Sequence, residues 1–565
     1  MLRRTLMNLG RVLLLVVVAL VAFSFLASGL DEGNAAAEAR SGSFWAAPSQ
    51  TTGPGSAIPD AAVGETLAAL NARFEQAWSE ADVEVAPAAD WLTICRRISL
   101  ALVGTGMSLQ EIRELEAVPE EHRVRVYLDR MLKDPRYHDY WAERFTRVYV
   151  GDEDGPFIAF RRRRFRTWLS DGFAANLPYD QIVRSLVTAN GLATDQPEVN
   201  FFTVTLNSDE NGQPDPIRLA ARTSRAFLGL RIDCMQCHDD FLGNVSLGDG
   251  ESFRDGTQQD FHALAAFYSG ARQNGLQGIR FEEHPYEYQF LHADATTTVE
   301  PAVPYAAHLL PAEGLPRERL AVWLTHPQHK QAARATVSRV WALLFGRPMT
   351  TAVDNIPLNE STHPVIDLLA DDFVKHGFDL RRLIRMIVLS RCFQLDSAAD
   401  FEITQRHEQA WSVFPLVRLR PEQVAGSVIQ AARIKTIDRD SSLIIQLMKF
   451  GGVNDFVQRY GDIGEDEFDQ DNVTITQRLI MLNGNLVDEY SERNPVLNSS
   501  SHILMFAESD QAVVESTYLC VLNRLPDDEE RELFTRRLED ATKREATVED
   551  LFWVLLNSSE LAWNH

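Results

Sequence analysis

Apolar residues recur every three or four positions along most of the chain. Leu67, Leu70, Phe74 and Trp78 share one face of a helix that begins near Glu65. The same spacing runs through Val126-Tyr127-Leu128, Met131-Leu132, Tyr140, Trp141, Phe145 and Val148. Residues 276–306 break it. There Ile279, Phe281, Tyr286, Tyr288 and Phe290 approach alternation, and Pro285, Pro301 and Pro304 interrupt any helix, so one or two short strands and a crossing loop are expected. Helices resume near Pro316. Ser361-Thr362-His363-Pro364 supplies a cap and a first-turn proline, and Val365 to His376 then runs to a stop at Gly377. No repeat of fixed period is visible. The pattern predicts a mainly α protein of two helical domains, 63–312 and 313–565, with a short β or irregular segment at 276–306.

Ahead of these helices, Val12 to Leu30 is an uncharged and mostly apolar run behind Arg3, Arg4 and Arg11. That order reads as an export signal, of a length between a signal-peptide core and a membrane span. Ala27-Ser28-Gly29 or Asn34-Ala35-Ala36-Ala37 offers small residues for cleavage, and no Cys follows for a lipoprotein anchor. The expectation is a bacterial envelope protein, held by this segment in the inner membrane and facing the periplasm, or released after cleavage. Residues 31–62, rich in Ala, Gly, Ser and Pro, read as a flexible tether. No later run is long and apolar enough to cross a bilayer.

Charge narrows the partners. The 565 residues carry a formal net charge of -25, and without residues 1–30 the remainder is three units more negative. A surface this acidic repels phosphate backbones, so no nucleic-acid partner is expected. One dense basic run, Arg161-Arg162-Arg163-Arg164-Phe165-Arg166, reads as a solvated helix face paired with Asp152, Glu153 and Asp154, or as a cradle for carboxylates, an anionic glycan or an acidic partner loop. Asp152-Glu153-Asp154-Gly155 fails as an EF-hand because Arg163 stands where the bidentate Glu belongs. The acidic stretch from Asp462 to Asp471 reads as a mobile acidic loop, with cation binding as the alternative.

Of the five cysteines, Cys95, Cys392 and Cys520 fall in apolar helical patterns and read as buried thiols. Cys234-Met235-Gln236-Cys237-His238 is different: it is C-x-x-C-H, the attachment pattern of c-type haem. Two thiols at this spacing reach two vinyl groups of one porphyrin, and the adjacent His238 supplies an axial nitrogen to the metal. Asp215-Pro216 starts a helix whose apolar face (Ile217, Ala220, Ala221, Phe227, Leu228) ends at Gly229 and delivers the chain to the motif. His262, in the helical stretch 260–267, is the first candidate for a sixth iron ligand, with Met448 and Met505 behind it. Asp239, Asp240 and Asp249 read as a solvated acidic loop, with a cation-binding loop as the alternative. Three other readings stay open: a zinc site on Cys234, Cys237 and His238 or His262, a redox dithiol, and a plain disulfide. G-x-S-x-G, H-E-x-x-H, P-loop and G-x-G-x-x-G signatures are absent.

As a set, these landmarks resemble a known pair of domains. Asp90-Trp91-Leu92, Arg96 through Gly104, Asn176-Leu177-Pro178-Tyr179-Asp180 and the Cys-Met-Gln-Cys-His segment are similar to domain of unknown function 1549. Ser338-Arg339-Val340-Trp341, Leu344-Phe345-Gly346-Arg347, Thr362-His363-Pro364, Leu482-Asn483-Gly484 and Leu555 through Glu560 resemble domain of unknown function 1553. The likeness spans about residues 65–565. It implies an exported, cytochrome-c-like protein of planctomycete-type bacteria. Two departures stand out. No C-x-x-C-H precedes Cys234, and Asp240 replaces the second His of the Cys-His-x-His found in many members. The expected function is an envelope haem c protein with an electron-transfer or redox role. Cys234, Cys237, His238 and His262 would bind the cofactor, and an envelope redox or scaffold protein would be the partner. The alternative is a haem-free interaction or scaffold protein whose Cys-x-x-Cys is a disulfide, with extracellular polysaccharide as a further partner.

Overall fold

The computed structural model describes residues 60–151, 160–206, 212–249, 252–349, 352–359, 363–460 and 498–565, with isolated positions between 461 and 497. The apolar run 12–30, the tether up to residue 59, Asp152 to Asp154 and most of the acidic stretch 462–471 lie outside them. Among the described residues no helix is long and apolar enough to cross a membrane.

Local chemistry sets the helix ends. Asp90 accepts from the Leu92 and Thr93 amides and opens Trp91–Val103. Ser108 and Glu111 form a reciprocal capping box at the head of Leu109–Glu116. Asp134 with Pro135 starts Pro135–Val150. The first apolar stripe folds as expected: Leu70, Phe74 and Trp78 of Asp60–Ala81 are buried.

Pro364–Lys375 starts at the foreseen proline, and its cap is His363 of the expected stretch, whose Nδ1 accepts from the Val365 amide at 3.3 Å. Ser361 and Thr362 lie outside the described residues. The break at 276–306 is also as expected. Ala271–Gln273 pairs antiparallel with Ile279–Phe281, and Glu287–Tyr288 with Thr297–Thr298. All sheets among the described residues are two-stranded ribbons in an otherwise helical protein.

Ile58–His565 packs as one compact unit. Lys330–Phe345 lies against Trp91–Val103, Pro316–Leu324 against Tyr179–Thr188, and Asp60–Ala81 against Pro364–Lys375. Trp141, Trp323, Trp341 and Trp411 are fully enclosed, and aromatic rings run from Tyr137 through Trp141, Phe145 and Tyr149 to Phe227, at the door of the motif.

The approach to the motif is built by its own sequence. Asp215 accepts from the Ile217 and Arg218 amides, and Pro216–Thr223 follows. The helix then widens to a π-turn over Ser224–Leu228 and stops at Gly229, which has φ 61°. A Cβ there would come within 3.1 Å of Ala335 Cβ and the Val353 carbonyl, so glycine is required on two counts. The Gly229 carbonyl accepts from the Ile356 amide at 2.7 Å, which ties the segment entering the motif to the second half of the chain.

The basic run is an ion-paired helix face. Arg162 and Arg166 converge on Glu143, Arg162 and Arg164 also donate to the carbonyls of Gly151 and Thr194, and Phe165 is buried.

Candidate functional site

Asp233–Gln236 forms a 3-10 turn closed by Cys237 N to the Cys234 carbonyl at 3.3 Å. Residues i and i+3 eclipse in such a turn, so Cys234 and Cys237 share one side, and both are exposed and free of any disulfide. Met235 between them is fully buried. Burial and the neighbouring Asp240 and Asp233 carboxylates raise the Cys234 pKa, which keeps its thiol protonated, the opposite of an activated redox thiol.

His238 is exposed. Its Nδ1 lies 2.6 Å from the Asp239 carbonyl, an obligate acceptor, so Nδ1 carries the proton and Nε2 of the neutral ring keeps its lone pair. The ring stacks on Phe241 at 5.8 Å. Phe241 and its neighbour Leu242 are 71% and 83% exposed, an apolar surface directly after the motif.

His262 is buried in Gln258–Ala265. Its Nε2 donates to the Gln236 carbonyl at 3.0 Å and its Nδ1 accepts from Tyr286 Oη at 2.8 Å, while Tyr288 stacks on its face at 3.5 Å. Burial lowers its pKa, which favours this neutral tautomer. Both nitrogens are engaged within the protein. The structure therefore brings His262 to the backbone of the motif, through Gln236. Tyr288 Oη and Gln258 Nε2 reach the same carbonyl at 3.0 Å each. Of these partners, the tyrosines were visible in the sequence only as strand alternation, and Gln258 gave no signal.

The three aspartates are occupied by backbone amides: Asp239 by Gln258 N, Asp240 by Leu242 N and Val245 N, Asp249 by Ala306 N. Asp240 thus shapes the turn that carries Phe241 and Leu242. Among the described residues no three His, Cys, Asp or Glu side chains converge as a metal-ligand group. Met448 lies on Leu443–Tyr460, and Met505 lines a cavity of about 40 Å³ with Ser500, Ser501, Leu504 and Glu545, none of it formed by the motif.

Met235 seats the turn against the ribbon Ser246–Leu247/Arg254–Asp255. A Cβ on Gly256 would meet Met235 Sδ at 2.3 Å and Leu247 Cδ1 at 3.3 Å. Gly256→Ala is therefore expected to displace Met235 and lower stability by about 1–3 kcal/mol, the usual cost of overpacking. A denaturation midpoint equal to wild type would show that the turn yields freely.

The donor set fits a c-type haem: two unbonded thiols on one side of a turn, an imidazole with Nε2 available, and exposed apolar side chains beside them. Residues 69–273, which contain the whole motif and His262, match the family described as protein of unknown function (DUF1549), and residues 316–442 match that described as protein of unknown function (DUF1553). No curated protein and no solved structure matches the chain. The chain thus carries domain of unknown function 1549 followed by domain of unknown function 1553.

Proposed function

We propose that the protein is a c-type haem protein of the bacterial envelope, in which Cys234 and Cys237 would hold the porphyrin and His238 would offer its Nε2 to the iron. The observation that carries this is the placement of His238: its Nδ1 lies 2.6 Å from the Asp239 carbonyl, which leaves Nε2 as the nitrogen open to a ligand beside two free, exposed thiols. Each thiol would add across one vinyl group, its sulfur bonding to carbon and its hydrogen ending on the other vinyl carbon, with no external oxidant. When bound, the haem would supply single-electron chemistry. Phe241 and Leu242 would cover part of the ring and keep water from it, and Asp239 would hold the imidazole in register. The apolar run at residues 12–30 supports export, where haem c attachment takes place, and an envelope redox protein is the proposed partner.

The full-length chain, co-expressed with a c-type maturation system, is expected to keep haem after denaturation and to give the reduced spectrum of a doubly thioether-linked porphyrin. Cys234→Ala/Cys237→Ala is expected to lose it entirely. His238→Ala is expected to keep covalent haem while altering its axial ligation. A colourless wild-type protein, in cells that mature a control cytochrome, would overturn the proposal.

A further inference from the structure

We infer that His262 is a positioning residue for the dithiol turn, acting with Tyr288 and Gln258 through the Gln236 carbonyl, rather than a source of an iron ligand. The inference deepens the haem reading and rests on it for its functional consequence. Three donors from two separate elements meet on one oxygen: His262 Nε2 and Gln258 Nε2 from the helix Gln258–Ala265, and Tyr288 Oη from the ribbon Glu287–Tyr288. A carbonyl oxygen has two lone pairs, so the third donor is more than satisfaction requires. What it adds is restraint. The restrained peptide lies between the two cysteines, and the turn's own bond, Cys237 N to Cys234 O at 3.3 Å, is long. The clamp therefore holds both thiols on one side.

The clamp is itself held. His262 cannot swing toward solvent without leaving the face of Tyr288, the edges of Phe261 and Phe290, and the Tyr286 hydroxyl. Gln258 is fixed at its other end, where Oε1 accepts from the Leu291 amide at 3.1 Å. Through these contacts the segment 276–306 becomes part of the site: the Gln236 carbonyl fixes the tautomer of His262, Tyr286 donates to the Nδ1 left as acceptor, and Tyr288 both stacks on the ring and shares its acceptor. A rigid porphyrin presents its two vinyl groups at a fixed separation, so a turn preset in this way would favour double attachment.

Two measurements on the full-length chain test this. In haem-free protein, amide hydrogen exchange at Cys237 is expected to be about five- to tenfold faster in His262→Phe and Tyr288→Phe, the effect of losing one of the hydrogen bonds at the Gln236 carbonyl, and close to wild type in His262→Gln, which retains an N–H donor. After maturation, the yield of covalent haem is expected to fall in the first two variants and recover in His262→Gln, with an unchanged visible spectrum in whatever haem is attached. Tyr288→Phe, at a half-exposed position, keeps the test sound if His262→Phe fails to fold. Unchanged exchange in Tyr288→Phe would overturn the clamp. Loss of a nitrogen ligand's signature in both His262→Phe and His262→Gln would overturn it in favour of ligation. Faster exchange in the variants of a protein that takes up no haem would uphold the clamp and defeat the haem reading alone.

Discussion

Asp372→Ala is expected to destabilise the protein by about 3–5 kcal/mol, because it strands a buried guanidinium. Arg382 is 1% exposed. Its Nε and Nη2 donate to the two oxygens of Asp372 at 2.8 and 2.9 Å, a forked pair. Thr66 Oγ1 donates to the same carboxylate at 2.9 Å, so the pair joins three helices: Asp60–Ala81, Pro364–Lys375 and Leu380–Val388. Burial alone would raise the Asp372 pKa, but the hydrogen bonds from Arg382 and Thr66, with the charges of Arg382 and His376, bring it below the ordinary carboxylate value. Its contribution is thus complete above the unfolded-state pKa near 4 and is lost as pH falls through the lower folded-state value. Asp372→Ala/Arg382→Met removes both charges and is expected to recover most of the loss. Equal denaturation midpoints for the single variant and wild type would show that water reaches Arg382.

The same pair shows where sequence reasoning stops. Arg381, Arg382 and Arg385 in Leu380–Val388 look like the polar face of an amphipathic helix, yet Arg382 points inward because Asp372 waits there and Thr66 closes the arrangement from the far end of the chain. Periodicity reports which face of a helix is apolar; it cannot report a charge buried by a distant partner. Local signals fared better. The stripe Leu70, Phe74, Trp78, the Asp215-Pro216 start and the short strand that holds Tyr288 are each set by nearby sequence, and each took the predicted form. His363 stands between these cases. The stretch Ser361 to Pro364 promises a cap without specifying the residue, and the ring nitrogen of His363 is what meets the Val365 amide.

At the candidate site, the spacing of Cys234, Cys237 and His238 could be read directly, because the chemistry lies within five residues. The donors to the Gln236 carbonyl could not. They come from positions 258, 262 and 288, and one of them, His262, carried a residue type that suggested a ligand. Its surroundings gave it another role: an aromatic face, a tyrosine hydroxyl and a backbone oxygen leave neither nitrogen facing outward.

Between pH 6.5 and about pH 4, His329 alone is expected to remove about 3 kcal/mol of stability. The side chain is 3% exposed and caps Lys330–Phe345, with Nδ1 accepting from the Ala332 amide at 3.1 Å. That bond fixes the neutral tautomer with the proton on Nε2, which lies enclosed by the edge of Trp323 at 4.4 Å and by Tyr305 at 5.3 Å and meets no acceptor among the described residues. Burial, with a smaller push from His326, lowers its pKa to about 4. Above pH 6.5 both folded and unfolded chains leave the ring neutral and its contribution is complete. As pH falls below 6.5 only the unfolded chain takes up the proton, so stability drops by about 1.4 kcal/mol per unit until the folded chain is protonated as well near pH 4. His329→Asn keeps a good capping side chain and does not titrate. Its urea midpoint is therefore expected to fall less steeply than that of wild type between pH 6.5 and 4.5, by the equivalent of one proton. Other buried histidines and carboxylates titrate in both proteins, so the difference isolates this ring. Parallel slopes would mean that the cap already opens to water before the chain unfolds, and that the head of Lys330–Phe345, whose Gln331 holds the Leu228 carbonyl just ahead of the dithiol turn, is looser than its burial implies.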